Sequence, residues 1–207
     1  MGDRLDTGGK VSSALDERRL IRRARRGDEA SRRELVDAHK DRLFAFVWRL
    51  LRNHHDAEEI SQETFLRAFA ALDSFDEQYR FSTWLFTIGY RLCLNHLRRQ
   101  PPLSGGTDLS READHGPGAL EALAASEQAR RMERLIWQAV DHLSPQQKAA
   151  VLLFYREQMA CQEIADVLEM PAATVKSHLH RARAKLREML WEPLGEQRPQ
   201  IRLSGAS

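Results

Sequence analysis

Residues Cys161 to Met189 read CQEIADVLEMPAATVKSHLHRARAKLREM, and this stretch decides the fold. Ile164, Ala165 and Leu168 share one face of a short helix from Glu163 to Leu168. Glu169-Met170-Pro171 interrupts it. Proline has no amide donor and disfavours helical backbone in the residue before it, so a new helix starts there. In that helix Val175, Leu179, Ala182, Leu186 and Met189 recur at four- and three-residue steps, a continuous apolar stripe. Glu188 is the only acidic residue from Pro171 to Leu190. Short helix, tight turn and longer basic helix form the pattern whose second helix enters the DNA major groove.

The helical pitch assigns a task to each outward residue. With the stripe packed inward, Ala173, Ser177, His180 and Arg181 point most directly away from the core and are candidates for base edges. Arg181 has the fork geometry for a bidentate contact with guanine, and Ser177 is permissive. Thr174, Lys176, Arg183 and Lys185 flank them and suit phosphates, which position without specifying. An ordinary solvated basic face is the bland alternative; the Pro171 break and the short helix before it weigh against it.

At 207 residues the chain suits one or two domains, and 42% hydrophobic content supports small cores. The net charge of +2 means that charge has to be read segment by segment. No apolar run reaches membrane-spanning length, and polar Met1 to Asp6 has no apolar stretch behind it, so neither a span nor a secretory signal is expected. Cys93 and Cys161 are far apart, and structural thiols of a reducing cytoplasm are expected rather than a disulfide.

A loose polar tail over residues 1–14 precedes an arginine-rich helix from Leu15 to Arg26, closed by Gly27-Asp28. A second helix, Glu29 to Arg52, has Leu35, Ala38, Leu43, Phe46, Val47 and Leu50 on its buried face. Asn53-His54-His55 reads as a loop. No cysteine or carboxylate falls at ligand spacing to the two histidines, so no metal or other cofactor is expected. Asp56 is the expected N-cap of Ala57 to Leu72, with Glu59 as capping-box partner. The acidic first half of that helix, with Glu58, Glu59 and Glu63, either complements the helix dipole or docks on a basic partner.

Asp73 to Ser82 is a loop carrying Phe75, Tyr79 and Phe81, aromatics that either stack exposed bases or enter the core. Thr83 to Gln100 is a helix without an acidic residue. Leu85, Ile88, Leu92 and His96 form one face; Trp84, Thr87, Arg91, Asn95 and Arg98 form another that suits nucleic acid. Gly89 stands mid-helix at a cost of about 1 kcal/mol against alanine. Pro101-Pro102, Gly105-Gly106 and Gly116-Pro117-Gly118 mark a flexible linker. Helix resumes from Glu121 to Leu143. Ser144-Pro145-Gln146-Gln147 starts another, and Ala149 to Tyr155 is apolar all round. After Trp191 a loose tail is expected.

These segments resemble, in order, those of bacterial sigma factors of the extracytoplasmic-function (ECF) group of the sigma-70 family. Asp56 to Leu72 is similar to the group's polymerase-binding helix. FSTWLFTI and LNHLRR within Phe81 to Gln100 resemble its minus-10 and melting segment. LSPQQKAAVLLFY and QEIADVLEMPAATVKSHLHRARAKLR within Leu143 to Leu190 resemble its second domain. The resemblance implies an all-α fold of two small helical domains. Residues 15–100 would be region 2, 101–125 a linker, 126–191 a four-helix region 4 with the helix-turn-helix, and 192–207 a loose tail. It places Asp56, Glu59, Gln62, Glu63 and Leu66 where the family docks the clamp helices of the polymerase beta-prime subunit. Core RNA polymerase, through those helices and the beta flap, and promoter DNA are the implied partners, with an anti-sigma factor as a further one. The implied role is transcription initiation without catalysis. The second domain would read the minus-35 element as duplex, and the first would hold melted minus-10 strand on Phe75, Tyr79, Phe81 and the Trp84–Arg98 face.

His178 departs from the arginine common after Lys-Ser in the family, and Gly89-Tyr90 replaces a small-then-polar pair. Fully extended, Pro101–Ala125 reaches at most about 80–90 Å, and as a free coil about 25–30 Å. Two DNA turns measure about 70 Å, so the free chain is not expected to hold promoter spacing; the polymerase imposes it. A stand-alone helix-turn-helix regulator would need dimer symmetry, and leaves the acidic helix and the Trp84–Arg98 face unused. A magnesium-dependent nuclease built on Asp56, Glu59 and Glu63 lacks a second carboxylate constellation.

Overall fold

A computed structural model describes residues 14–99 and 120–194. The N-terminal tail to residue 13, the glycine- and proline-rich part of the linker and the chain beyond residue 194 lie outside the described residues. Eight α-helices and no strand occur among the described residues. They are α1 Ala14–Arg25, α2 Glu29–Leu51, α3 His54–Ala70, α4 Phe81–Arg99, α5 Leu120–Asp141, α6 Pro145–Tyr155, α7 Cys161–Leu168 and α8 Ala172–Leu194.

Local chemistry sets the breaks. Gly27, at φ +86°, turns the chain after α1 in backbone that residues with a Cβ avoid. Arg52 ends α2 in the left-handed conformation, its N–H returning to Trp48 O. The next helix starts earlier than the sequence suggests. Asn53, not Asp56, is its N-cap and accepts from the Asp56 amide at 3.2 Å, so His54 and His55 form the first turn rather than a loop. Ser144 and Gln147 close the expected capping box on α6. Glu169, left-handed at φ 53°, and Pro171 supply the tight turn between α7 and α8. The last helix runs to Leu194, three residues into the stretch expected to be loose.

The first four helices pack around Leu35, Leu43, Phe46, Phe81, Leu85 and Phe86, each essentially without solvent exposure. Each such side chain stabilises the fold by about 1.5–3 kcal/mol. Two details of the expected buried faces change. On α2, Ser31 and His39 are buried while Ala38 is half-exposed. On α4 the buried face runs through Phe81, Ser82, Leu85, Phe86, Gly89, Tyr90 and Cys93, leaving Ile88, Leu92 and His96 half-buried. At Gly89 the bare Cα of α4 faces Leu43 of α2 and Thr64 of α3, so the three helices approach closely and a Cβ there would lie 3.0 Å from Leu43 Cδ1.

The other four helices surround Ala149–Leu153 of α6, with Ile164, Val167, Val175, Leu179 and Ala182. The buried side chains of both halves form one continuous apolar cluster, because α7 packs on α4 and α6 on α2.

Candidate nucleic-acid interface

Helix α8 lies with Val175, Leu179 and Ala182 buried against α6 and α7. Ala173, Lys176, Ser177, His180, Arg181 and Lys185 are exposed, and Thr174 and Arg183 half-exposed. Ser177 Oγ donates to Ala173 O and Arg181 Nε to Ser177 O, so both side chains lie along the helix. Two of the expected phosphate ligands are turned onto their own domain. Arg183 donates to the Tyr155 hydroxyl at 2.8 Å, over the Phe154 and Tyr155 rings, and Lys185 Nζ donates to His142 O at 2.6 Å. His178 is half-buried, and its ring is held below its ordinary pKa by burial and by the nearby Arg181 charge.

The second face belongs to α4 and the loop before it. Phe75 and Phe81 are only 5% and 0% exposed, which corrects the expectation that they stack bases. They pack edge to face at 5.7 Å between ring centres, and both touch Trp84, at 5.1 and 5.8 Å. Phe75, in the loop, finds its lowest free energy inside because Phe81 and Trp84, at the start of α4, supply partner rings. Tyr79 is 58% exposed and Trp84 half-exposed, leaving two aromatic faces for ligands. With Phe75, Thr83, Thr87 and Asp166 they line a cavity of about 220 Å³. Arg91, Asn95 and Arg98 continue the same helix face, all exposed in fractional area.

Sequence reasoning missed two contributors to this surface. Arg25 of α1 donates to Leu72 O at 3.0 Å and to Phe75 O, and pairs with Glu77 at 3.0 Å, tying the loop to the domain. The other is acidic. Glu163, Asp166 and Glu169 of α7 and its C-cap lie against α4: Glu163 sits 3.6 Å from Arg80 and 3.5 Å from Thr83 Oγ1, and Glu169 pairs with Arg91. Their spacing of three was readable in the sequence; their target was not.

On α3, Glu59, Gln62 and Leu66 are exposed, Leu66 by 66%, and Glu63 is half-exposed in an ion pair with Arg67. Asp56 is different, because its carboxylate turns to His96 Nε2 of α4 at 3.1 Å. The helical first turn also brings His55, Asp56 and Glu59 together, their ligand atoms within 4.8 Å of one another. This overturns the reading that no carboxylate stands at ligand spacing to the histidines, although Asp56 is already engaged. Among the described residues no helix is long and apolar enough to cross a membrane.

An exposed acidic helix, a basic aromatic helix and a helix-turn-helix in one chain define a two-domain, all-helical DNA-binding protein. Family models agree. Sigma-70 region 2 matches residues 35–101, and sigma-70 region 4 matches residues 133–186. The ECF RNA polymerase sigma factor SigW of Bacillus subtilis is 31% identical over 183 residues, spanning 84% of this chain and 96% of that protein. The RNA polymerase sigma-H factor of Pseudomonas aeruginosa is 29% identical, over 86% of this chain and 95% of that one. Among solved structures, CnrH in complex with the cytosolic domain of CnrY superposes with a TM-score of 0.63 at 25% identity, covering 87% of this chain and 99% of that chain. The chain belongs to the ECF sigma factors of the sigma-70 family. Its function is that of a sigma factor: it serves DNA-dependent transcription initiation with core RNA polymerase at promoters.

Proposed function

We propose that the two domains divide promoter recognition between them, region 2 spanning residues 15–100 and region 4 residues 126–191. Region 4 reads the minus-35 duplex, with Ala173, Ser177, His180 and Arg181 at base edges. Thr174, Lys176, Arg183 and Lys185 contact phosphates, the last two after leaving their intradomain partners. Region 2 holds melted minus-10 strand on Tyr79, Trp84, Thr87, Arg91, Asn95 and Arg98; Phe75 and Phe81 support Trp84 from below. Strand opening is then an equilibrium shifted by binding, each stacked base contributing about 1–3 kcal/mol. No bond is made or broken, and the protein is not an enzyme. The exposed α3 face, with Glu59, Gln62, Glu63 and Leu66, docks the beta-prime clamp helices, and region 4 engages the beta flap.

An anti-sigma factor in the cytoplasm is the proposed controlling partner, supported by the likeness to CnrH in complex with the cytosolic domain of CnrY. The observation that carries the division of labour is the exposure of three separate faces of distinct chemistry on α3, α4 and α8. Reconstituted transcription tests it. Core polymerase receives a library of promoter fragments with and without the protein, and the start sites are sequenced. Protein-dependent starts should share two motifs about two helical turns apart. Bare-promoter binding without any dependent start would favour a stand-alone regulator.

A further inference from the structure

We propose that α1 carries an arginine track that holds the backbone of the melted strand where it passes beyond Tyr79. The inference deepens the reading of Tyr79 and α4 as the strand-binding face, and it rests on that reading. The sequence RRLIRRARR, from Arg18 to Arg26, has six arginines and no acidic residue. Ile21 and Ala24 are buried, so the helical pitch turns Arg18, Arg19, Arg22, Arg23 and Arg26 outward, and all five are exposed. The match to sigma-70 region 2 begins at residue 35, so this helix lies ahead of it.

Two observations separate this helix from an ordinary solvated one. The first is its uncompensated charge. Arg18 and Arg22, Arg19 and Arg23, and Arg22 and Arg26 stand four residues apart, a spacing at which like charges repel. The helix dipole favours Arg22, Arg23 and Arg25 in the last turn, but Arg18 and Arg19 lie in the first half. Glu77 takes up Arg22 and Arg25, and Asp28 takes up Arg23; among the described residues no carboxylate lies within ion-pair distance of Arg18, Arg19 or Arg26. The second is position. Arg25 donates to Leu72 O and Phe75 O, and its partner Glu77 stands two residues before Tyr79, so the arginine face continues directly from the loop that presents that ring. Arg18, Arg22 and Arg26 follow one another at about 6 Å along the axis. Such a row fits a polyanion of regular charge, and the strand stacked on Tyr79 is one. Contacts to its phosphates add affinity and hold it in place without selecting sequence.

The test uses holoenzyme assembled from core polymerase and the full chain carrying Arg18→Gln, Arg19→Gln and Arg26→Gln together. Arg22 and Arg25 are left intact because they hold Glu77 and the loop. A control removes as many charges from α5, through Arg130→Gln, Arg131→Gln and Arg134→Gln, all exposed. The probe is a fluorescent DNA duplex with a central mismatched bubble, and its affinity is measured from about 0.05 to 0.2 M salt, a range over which phosphate contacts lose much of their strength. Each phosphate contact on a single strand contributes about 0.7 to the slope of log affinity against log salt, so the arginine variant should lose about 2 from that slope. Over that range its affinity should then fall roughly twentyfold less than the wild type's. It should also bind more weakly at the lowest salt, and the control should keep the wild-type slope. Wild-type affinity and slope in the arginine variant, with binding weakened by Tyr79→Ala, would overturn the track. An equal loss of slope in the control would overturn it as well, by showing an effect of net charge alone. Unchanged binding in both the Tyr79→Ala and the arginine variants would overturn the reading of the strand-binding face on which the track rests.

Discussion

Arg42 of α2 reaches Glu157 of the second domain, its Nε donating to Oε2 at 2.8 Å across 115 residues of chain. The carboxylate is almost wholly buried, whereas the arginine is 44% exposed. A buried carboxylate tolerates the loss of its cation poorly, because desolvation is no longer offset. Arg42→Ala should therefore weaken the domain contact by about 1–3 kcal/mol. Helix content should hold, since separation of the domains returns Glu157 to water. Hydrogen exchange checks this: faster exchange at the α2–α6 contact with unchanged protection inside α2 is expected, and global loss of protection would contradict it.

Gly89 is fixed by packing rather than by backbone conformation. A Cβ there would lie 3.0 Å from Leu43 Cδ1 and 3.5 Å from Thr64 Oγ1. Leu43 is fully buried, so its side chain has to shift by a few tenths of an ångström within the core to admit the Cβ. Alanine would gain about 1 kcal/mol of helix propensity against about 1–3 kcal/mol of overpacking. Gly89→Ala should lower unfolding free energy by about 1 kcal/mol net, and Gly89→Val by more. Urea titration measures both, and a more stable alanine variant would show that Leu43 yields.

The loop aromatics divide by burial into two experiments. Phe75→Ala empties a site between Phe81 and Trp84 and should cost about 3–5 kcal/mol of stability. Tyr79→Ala, at 58% exposure, should leave stability within about 0.5 kcal/mol. It should weaken binding of melted minus-10 strand by about 1–3 kcal/mol. Thermal unfolding and strand affinity, measured on both variants, separate the roles.

On α3 the same contrast falls between Leu66 and Asp56. Leu66 is 66% exposed with nothing apolar to lose, so Leu66→Ala should spare the fold. As an exposed anchor it should cost about 1–4 kcal/mol in affinity for core polymerase. Asp56 holds His96 at 3.1 Å and stands in the first turn of α3, where a negative charge is favoured by the helix dipole. Asp56→Ala should lower stability by about 1 kcal/mol, with a smaller effect on polymerase binding. Equal losses of affinity would place Asp56 on the docking face after all.

The cysteines should differ in reactivity. Burial pushes the Cys93 thiol up to about 12, so it stays protonated and its reactive thiolate is absent at neutral pH. Cys161 is half-buried at the start of α7. Thiol labelling of the native protein near pH 8 should modify Cys161 and leave Cys93 untouched until the chain is denatured. Rapid labelling of Cys93 would show that α4 opens readily.

Much was decided by the sequence alone. The apolar stripe from Val175, the Pro171 break, the Ser144–Gln147 box and Gly27 each act within a few residues, where backbone sterics and hydrogen bonding leave little choice. They suffice for an all-helical chain with a helix-turn-helix and for the family resemblance. Burial of particular side chains was different. Whether Phe75 and Phe81 face solvent depends on Trp84 and on Arg25 clamping their loop, contacts that run up to 50 residues along the chain. Asp56 could be read as a cap until Asn53 took that place and His96 took its carboxylate. The acidic spacing of Glu163, Asp166 and Glu169 was visible, but only the packing of α7 on α4 gave it Arg80 and Arg91 as partners. Periodicity tells which side of a helix is apolar; what lies across from the polar side is set by tertiary contacts that no local rule contains.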